Sequence, residues 1–99
     1  MSGISVADPA INLFYAIKAK SAFAWATWRI NAGGNAVVGD LVAADGTPPG
    51  TPAAWASLLA SLPPDDCRYA VYDYTHVNSE GRQFQKLVFV NWAPDTAKV

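Results

Sequence analysis

The chain has 99 residues, which is enough for one domain over residues 1–99 with one modest core. Hydrophobic residues make up 52% and charged residues 15%, while a net charge of −1 leaves no basic surface for nucleic acid. The first residues lack the basic start and apolar stretch of a secretory signal, and prolines interrupt the long uncharged segment 46–64. We therefore expect a cytoplasmic protein that binds no nucleic acid and does not span a membrane.

The first half of the chain predicts one helix and two strands. Asp8 is a candidate N-cap with Pro9 at the first helical position, and apolar residues follow at helical spacing as far as Ile17. Aromatic and β-branched residues then dominate 23–30, and the turn sequence "NAGGN" precedes a second strand, "AVVGDLVAA".

The second half predicts a helix and a β-hairpin. Thr51 and Pro52 open the helix "TPAAWASLLASLPP", which Pro63 and Pro64 end. The strands "CRYAVYDYTH" and "FQKLVFVNW" flank a turn in which Gly81 can adopt a positive φ. Because the last strand is almost wholly apolar, two helices on four strands cannot cover it on both faces. We expect further structure to cover that strand.

Catalytic and metal-binding patterns are absent from the sequence. His76 has no second histidine or cysteine at ligand spacing, and Cys67 is the only cysteine. Asp65 and Asp66 follow two prolines, where adjacent carboxylates indicate a solvated turn or the start of a strand. The glycine-rich segments lack the Lys-Ser or Lys-Thr of a phosphate-binding loop. We expect a non-enzymatic protein without metal or cofactor.

Six aromatic residues on the last two strands could form a stacking platform, but on strands they more often belong to a core. They are Tyr69, Tyr72, Tyr74, Phe84, Phe89 and Trp92. Arg82 and Lys86 lie just past the hairpin turn, where by themselves they indicate only solvated charge.

The run "LPPDDCRYAVYDYTH...GRQFQKLVFVNWAPDTAKV" resembles the central portion of the actin-depolymerising factor and cofilin family. Residues 67–74 match the family's "CRYAVYDF"-like strand, residues 86–90 its "KIVFI"-like strand, and residues 92–97 its "WSPDTA" segment. At the other end, residues 2–6 ("SGISV") resemble the family's "SGVAV" start. The resemblance thus extends over nearly the whole chain and is weakest from 19 to 50.

The resemblance implies an α/β fold in which a mixed β-sheet is flanked by helices on both faces. In the family the "WSPDTA" segment leads into a long actin-binding helix, followed by a further strand and a terminal helix. The printed chain stops at the threshold of that helix. We therefore expect a truncated chain whose fold lacks its C-terminal part.

The implied function is non-enzymatic binding of actin monomers and filaments, which promotes filament severing and depolymerisation at the cytoskeleton. Ser2 matches the family's regulatory phosphorylated serine. The positions that match the family's actin-binding residues are Ser2, Gly3, Ile4, Arg82, Lys86 and Lys98.

Departures from the family pattern leave alternatives open. The stretch "AKSAFAWATWRINAGGNAVV" replaces a lysine-rich region of relatives, so phosphoinositide binding is expected to be weak at most. Phe84 stands where relatives often carry a basic residue of the filament-binding hairpin. The chain could instead be a non-severing relative of the coactosin or glia maturation factor type, or a phosphoinositide-binding or inert scaffold.

Overall fold

The computed structural model describes residues 4–95, which form a mixed five-stranded sheet with a helix on each face. The elements in chain order are β1 (Ser5–Val6), α1 (Asp8–Lys20), β2 (Trp25–Ile30), β3 (Ala36–Val42), α2 (Pro52–Ser61), β4 (Arg68–Val77) and β5 (Gln83–Trp92). The predicted mixed sheet flanked by helices on both faces is confirmed. The sequence prediction missed β1, which is only two residues long.

The sheet order is β1-β3-β2-β4-β5, with β1 parallel to β3 and all other pairs antiparallel. β4 and β5 pair without interruption along their whole length. By contrast, only residues 25–28 of β2 pair with β4, where they lie opposite residues 69–72. Residues 73–77 and 83–87 therefore extend past the β2 ladder as a two-stranded ribbon, a name we keep for this segment.

Helix α1 begins at Asp8, one residue earlier than it would if Asp8 were its N-cap. The N-cap is Ala7, which is extended and offers no side-chain cap, so the assignment of Asp8 as N-cap was wrong. The N–H of Ala7 donates to the carbonyl of Val37 on β3. This hydrogen bond holds Ala7 in an extended conformation beside β3. Asp8 instead lies in the first helical turn, where its charge favours the positive end of the helix dipole.

Each helix packs its apolar side on one face of the sheet. On the α1 face, the indole N–H of Trp28 donates to the carbonyl of Ala10 over 3.1 Å. On the α2 face, the indole N–H of Trp25 donates to the Ser57 hydroxyl over 2.8 Å. Both tryptophans thus bury large rings without losing a hydrogen bond. Among residues 4–95, no helix has the length and apolar character needed to cross a membrane.

The outer strand β5 is poorly covered. Tyr72 on β4 is buried and Trp92 is half-buried, but Phe89 is 69% exposed. Four of the six aromatic residues assigned to a core are in fact exposed, namely Tyr69, Tyr74, Phe84 and Phe89. That assignment was wrong for these four, and Phe89 stays exposed although its ring centroid lies 6.0 Å from that of Phe14 on α1. The expectation that two helices cannot cover the last strand is met for Phe89.

Candidate functional site

The turn between β4 and β5 is held by one asparagine side chain. The Asn78 side-chain oxygen accepts hydrogen bonds from the N–H groups of Glu80 and Arg82, each over 2.9 Å. Gly81 adopts φ +80°, as predicted from the sequence, and its N–H donates to the carbonyl of Asn78. This network orders the short segment from which Arg82 projects.

Two exposed cations follow this turn. Arg82 closes the turn, and Lys86 lies opposite Tyr74 in the β4–β5 ladder. The strand alternation places Lys86 on the same face of β5 as Phe84, which is 38% exposed. The hairpin therefore presents two positive charges and an aromatic ring to solvent.

Ile4 lies at the opposite end of β4, beside a cleft of about 560 Å³. Arg29 and Asn31 line the cleft from the end of β2 and the turn after it, while Asn91 and Ala93 line it from the end of β5. Ile4 thus lines the cleft together with polar side chains and with the apolar surface of Ile30 and Tyr69. This end of the molecule can contact a partner that offers mixed apolar and polar surface.

A charge network borders the Ile4 cleft. Asp40 accepts hydrogen bonds from Arg68 over 2.9 Å and from Thr27 over 3.1 Å, with Arg29 at 3.7 Å. Arg68 also donates to Asp66 over 2.7 Å, and this hydrogen bond, helped by the N–H of Cys67, lowers the pKa of Asp66 below its ordinary 3.8. The same bond raises the pKa of Arg68. Asp66 therefore orders the start of β4.

The candidate residues fall at two ends of the molecule. Ile4 lies near the start of β4 and Arg82 near its far end, and a ten-residue strand spans about 30 Å. Ser2, Gly3 and Lys98 lie outside the described residues. The structure thus does not bring the described candidates into one site but separates them into two surfaces.

The carboxylates Asp65 and Asp66, which the sequence assigned to a solvated turn or the start of a strand, lie just before β4. Within residues 4–95, no three side chains of His, Cys, Asp and Glu lie together in a way that could hold a metal ion. Asp66 is engaged by Arg68, in keeping with the start-of-strand interpretation.

Sequence reasoning missed three residues that support these surfaces. Arg29 belongs to the Ile4 cleft, and Gln85 joins the ribbon to α1 and to Asp73. The alternation of residues along the strands could have placed Gln85 and Asp73 on one face. Their pairing depends on the β4–β5 register, which the sequence pattern alone does not provide.

Comparison with known proteins identifies the family to which the chain belongs. The sequence model of the family described as "Cofilin/tropomyosin-type actin-binding protein" matches residues 3–99. Actin-depolymerizing factor 1 of Oryza sativa subsp. japonica is 37% identical over 98 residues, which cover 99% of this chain and 66% of the relative.

Solved structures share the fold. Actin depolymerization factor 2 of Plasmodium berghei superposes with a TM-score of 0.84 at 23% identity, covering 99% of this chain and 68% of the other. Coactosin from Entamoeba histolytica gives a TM-score of 0.70 at 22% identity, covering 100% and 66%.

The chain spans about two thirds of the length of the curated relatives that it matches. The match nevertheless runs over almost every residue of the chain, and the relatives in question are actin-depolymerizing factors. By sequence and by fold, the chain belongs to the actin-depolymerising factor and cofilin family of actin-binding proteins.

Proposed function

We propose that the protein binds actin monomers and filaments as an actin-depolymerising factor, and that it promotes filament severing and depolymerisation at the cytoskeleton. The proposal requires no catalytic residue, metal or cofactor. Severing would follow from preferential binding to one filament geometry, because a ligand shifts an equilibrium only by its differential affinity for the two states.

The separation of the two candidate surfaces is the observation that supports this function most. A protein that binds the side of a filament must contact more than one subunit, and surfaces about 30 Å apart along β4 suit that task. We assign monomer contact to Ile4, and also to Ser2, Gly3 and Lys98, which lie outside the described residues. We assign filament contact to Arg82 and Lys86.

The test is a charge reversal on the hairpin. Actin binding is measured with an extended chain, in which the remaining residues of the rice actin-depolymerizing factor 1 follow Val99. Replacing Arg82→Glu and Lys86→Glu together should reduce co-sedimentation with filaments, most clearly at low salt, because exposed ionic contacts are weak and screened. Monomer binding should change little.

A matched control separates position from net charge. The double replacement Lys18→Glu and Lys20→Glu changes the net charge equally at the exposed C-terminal end of α1, and it should leave filament binding intact. Equal losses in both double variants would reject the hairpin as a filament site, and so would a parallel loss of monomer binding. An extended chain that binds neither form of actin would reject the function itself.

A second candidate is a coactosin-like protein that binds filaments without severing them. Phe84 favours it, because an exposed aromatic ring occupies a hairpin position where the family often has a cation. Filament length measured by fluorescence microscopy, alongside co-sedimentation, separates the two functions: binding without shortening indicates the coactosin type. Binding to anionic vesicles without actin affinity would instead indicate a phosphoinositide-binding scaffold.

A further inference from the structure

Among residues 4–95, no third strand pairs with the ribbon that carries the hairpin cations. β2 pairs with β4 only as far as Tyr72, and β4 and β5 continue together to the turn. An isolated two-stranded hairpin is marginally stable at best in water. The direction in which Arg82 and Lys86 point therefore depends on contacts at the base of the ribbon.

One side chain of the ribbon reaches the helix beneath it. The amide nitrogen of Gln85 lies 3.2 Å from the carbonyl oxygen of Ile17 and 3.1 Å from the hydroxyl of Ser21. Ser21 is the C-cap of α1 and adopts φ +47°. Gln85 thus joins β5 to the last turn of α1, where the Ile17 carbonyl also accepts from the N–H of Ser21.

The same amide also meets a buried carboxylate. Asp73 is 0% exposed, and its Oδ2 accepts from Gln85 over 3.1 Å while its Oδ1 accepts from the Thr75 hydroxyl over 2.6 Å. Across the part of the chain that the structure describes, no salt bridge involves Asp73. A buried carboxylate is stable only if its oxygens accept hydrogen bonds. Because Gln85 supplies the hydrogen bond to Oδ2, this contact holds the Gln85 side chain in place.

The edge of the ribbon is supported from the loop before α2. Gly50 lies so close to the carbonyl oxygen of Thr75 that a Cβ atom would overlap it. This contact reaches β4 only. Gln85, by contrast, belongs to β5, the strand that also carries Lys86.

We propose that Gln85 is a positioning residue, which ties the ribbon to α1 and to Asp73 and so fixes the direction in which Arg82 and Lys86 meet a filament. The inference rests on the proposed filament contact and adds the group that holds it in place. Gln85 itself points to the α1 face, because its neighbours there are Ile17 and Asp73, and Lys86 lies on the other face.

Hydrogen exchange of backbone amides tests the tie without actin. Gln85→Ala should speed exchange in the ribbon by about tenfold, since it leaves a buried oxygen short of a donor. Exchange at 69–72, which β2 also pairs, should not change. Gln83→Ala is the control, because Gln83 is an exposed glutamine two residues earlier on the same face. Gln85→Lys restores a hydrogen-bond donor and should recover the slow exchange of the ribbon amides. Gln85→Glu keeps the side-chain size but places a second carboxylate beside Asp73, so it should not recover slow exchange.

Actin binding in the extended chain tests the consequence. Gln85→Ala and Gln85→Glu should lower filament co-sedimentation several-fold and leave monomer affinity unchanged, whereas Gln83→Ala should alter neither. Unchanged exchange in the ribbon overturns the inference. So does a loosened ribbon with normal filament binding, which would leave the proposed function standing. If the unsubstituted extended chain fails to bind filaments, the proposed function falls and the inference falls with it.

Discussion

At the scale of single residues, Asp66 gives a pH-dependent effect with a defined sign. Its pKa is lowered by the hydrogen bond from Arg68, so the contribution of Asp66 to stability is present above the unfolded pKa and is lost as the pH falls through the lower folded value. Arg68→Gln should return the pKa of Asp66 toward 3.8. Titration of the side-chain carboxyl by NMR measures this, and an unchanged pKa in the variant would contradict the assigned cause.

Ser2 carries the prediction about regulation. A phosphate there would add about −1.5 to −2 charges at pH 7 to a residue that we assign to monomer contact. Ser2→Glu should therefore weaken monomer binding of the extended chain relative to Ser2→Ala, measured by fluorescence titration of labelled actin. Equal affinities of the two variants would remove Ser2 from the contact surface.

At the scale of elements, the loop before α2 predicts a cost at Gly50. The residue adopts φ +75° and has no room for a Cβ beside Thr75, so Gly50→Ala should lower the free energy of unfolding by about 1–3 kcal/mol. Gly46 has a similar φ of +82° but open space around it. Gly46→Ala therefore measures the cost of the positive φ alone, without a steric clash. Urea unfolding should show the larger loss at Gly50, and equal losses would mean that the loop moves aside.

Most elements could be predicted because their signals are local. Thr51 does cap α2, with its hydroxyl accepting from the N–H of Ala54, as the Thr-Pro pair indicates. β1 could not be predicted, since two residues show no alternation and the strand exists only by parallel pairing with β3. The error at Asp8 has the same origin, because Ala7 is held by Val37, a residue far along the chain.

The candidate site residues also differ in whether the sequence could predict them. Arg82 and Lys86 could be predicted because the hairpin turn is local and the resemblance supplied their role. Gln85 and Asp73 required the register of two strands, and the contact to Ile17 required the position of α1 above them. Such contacts depend on the packing of residues far apart in the sequence, which a local sequence pattern cannot predict.

At the scale of the whole molecule, the exposed outer strand predicts self-association. β5 is the last strand of the described sheet, and Phe89 on it is 69% exposed. Exposed apolar residues on an edge strand invite pairing with another chain. The 99-residue chain alone should form concentration-dependent oligomers in sedimentation velocity.

Two comparisons define that expectation. Phe89→Lys should shift the 99-residue chain toward monomer, because a charge on an edge strand opposes pairing. The extended chain should be monomeric and melt cooperatively. A 99-residue chain that stays monomeric at all concentrations tested would contradict the prediction.

The short ladder between β2 and β4 bears on how the chain folds. β2–β3 and β4–β5 are hairpins of neighbouring strands, which form in about 1–10 μs, whereas β2–β4 joins opposite halves of the chain through four residue pairs. Closing that long loop costs entropy before any contact repays it. The encounter of Trp25 with Tyr72 should therefore limit the folding rate, and during synthesis the N-terminal hairpin must wait for β4 to emerge from the ribosome.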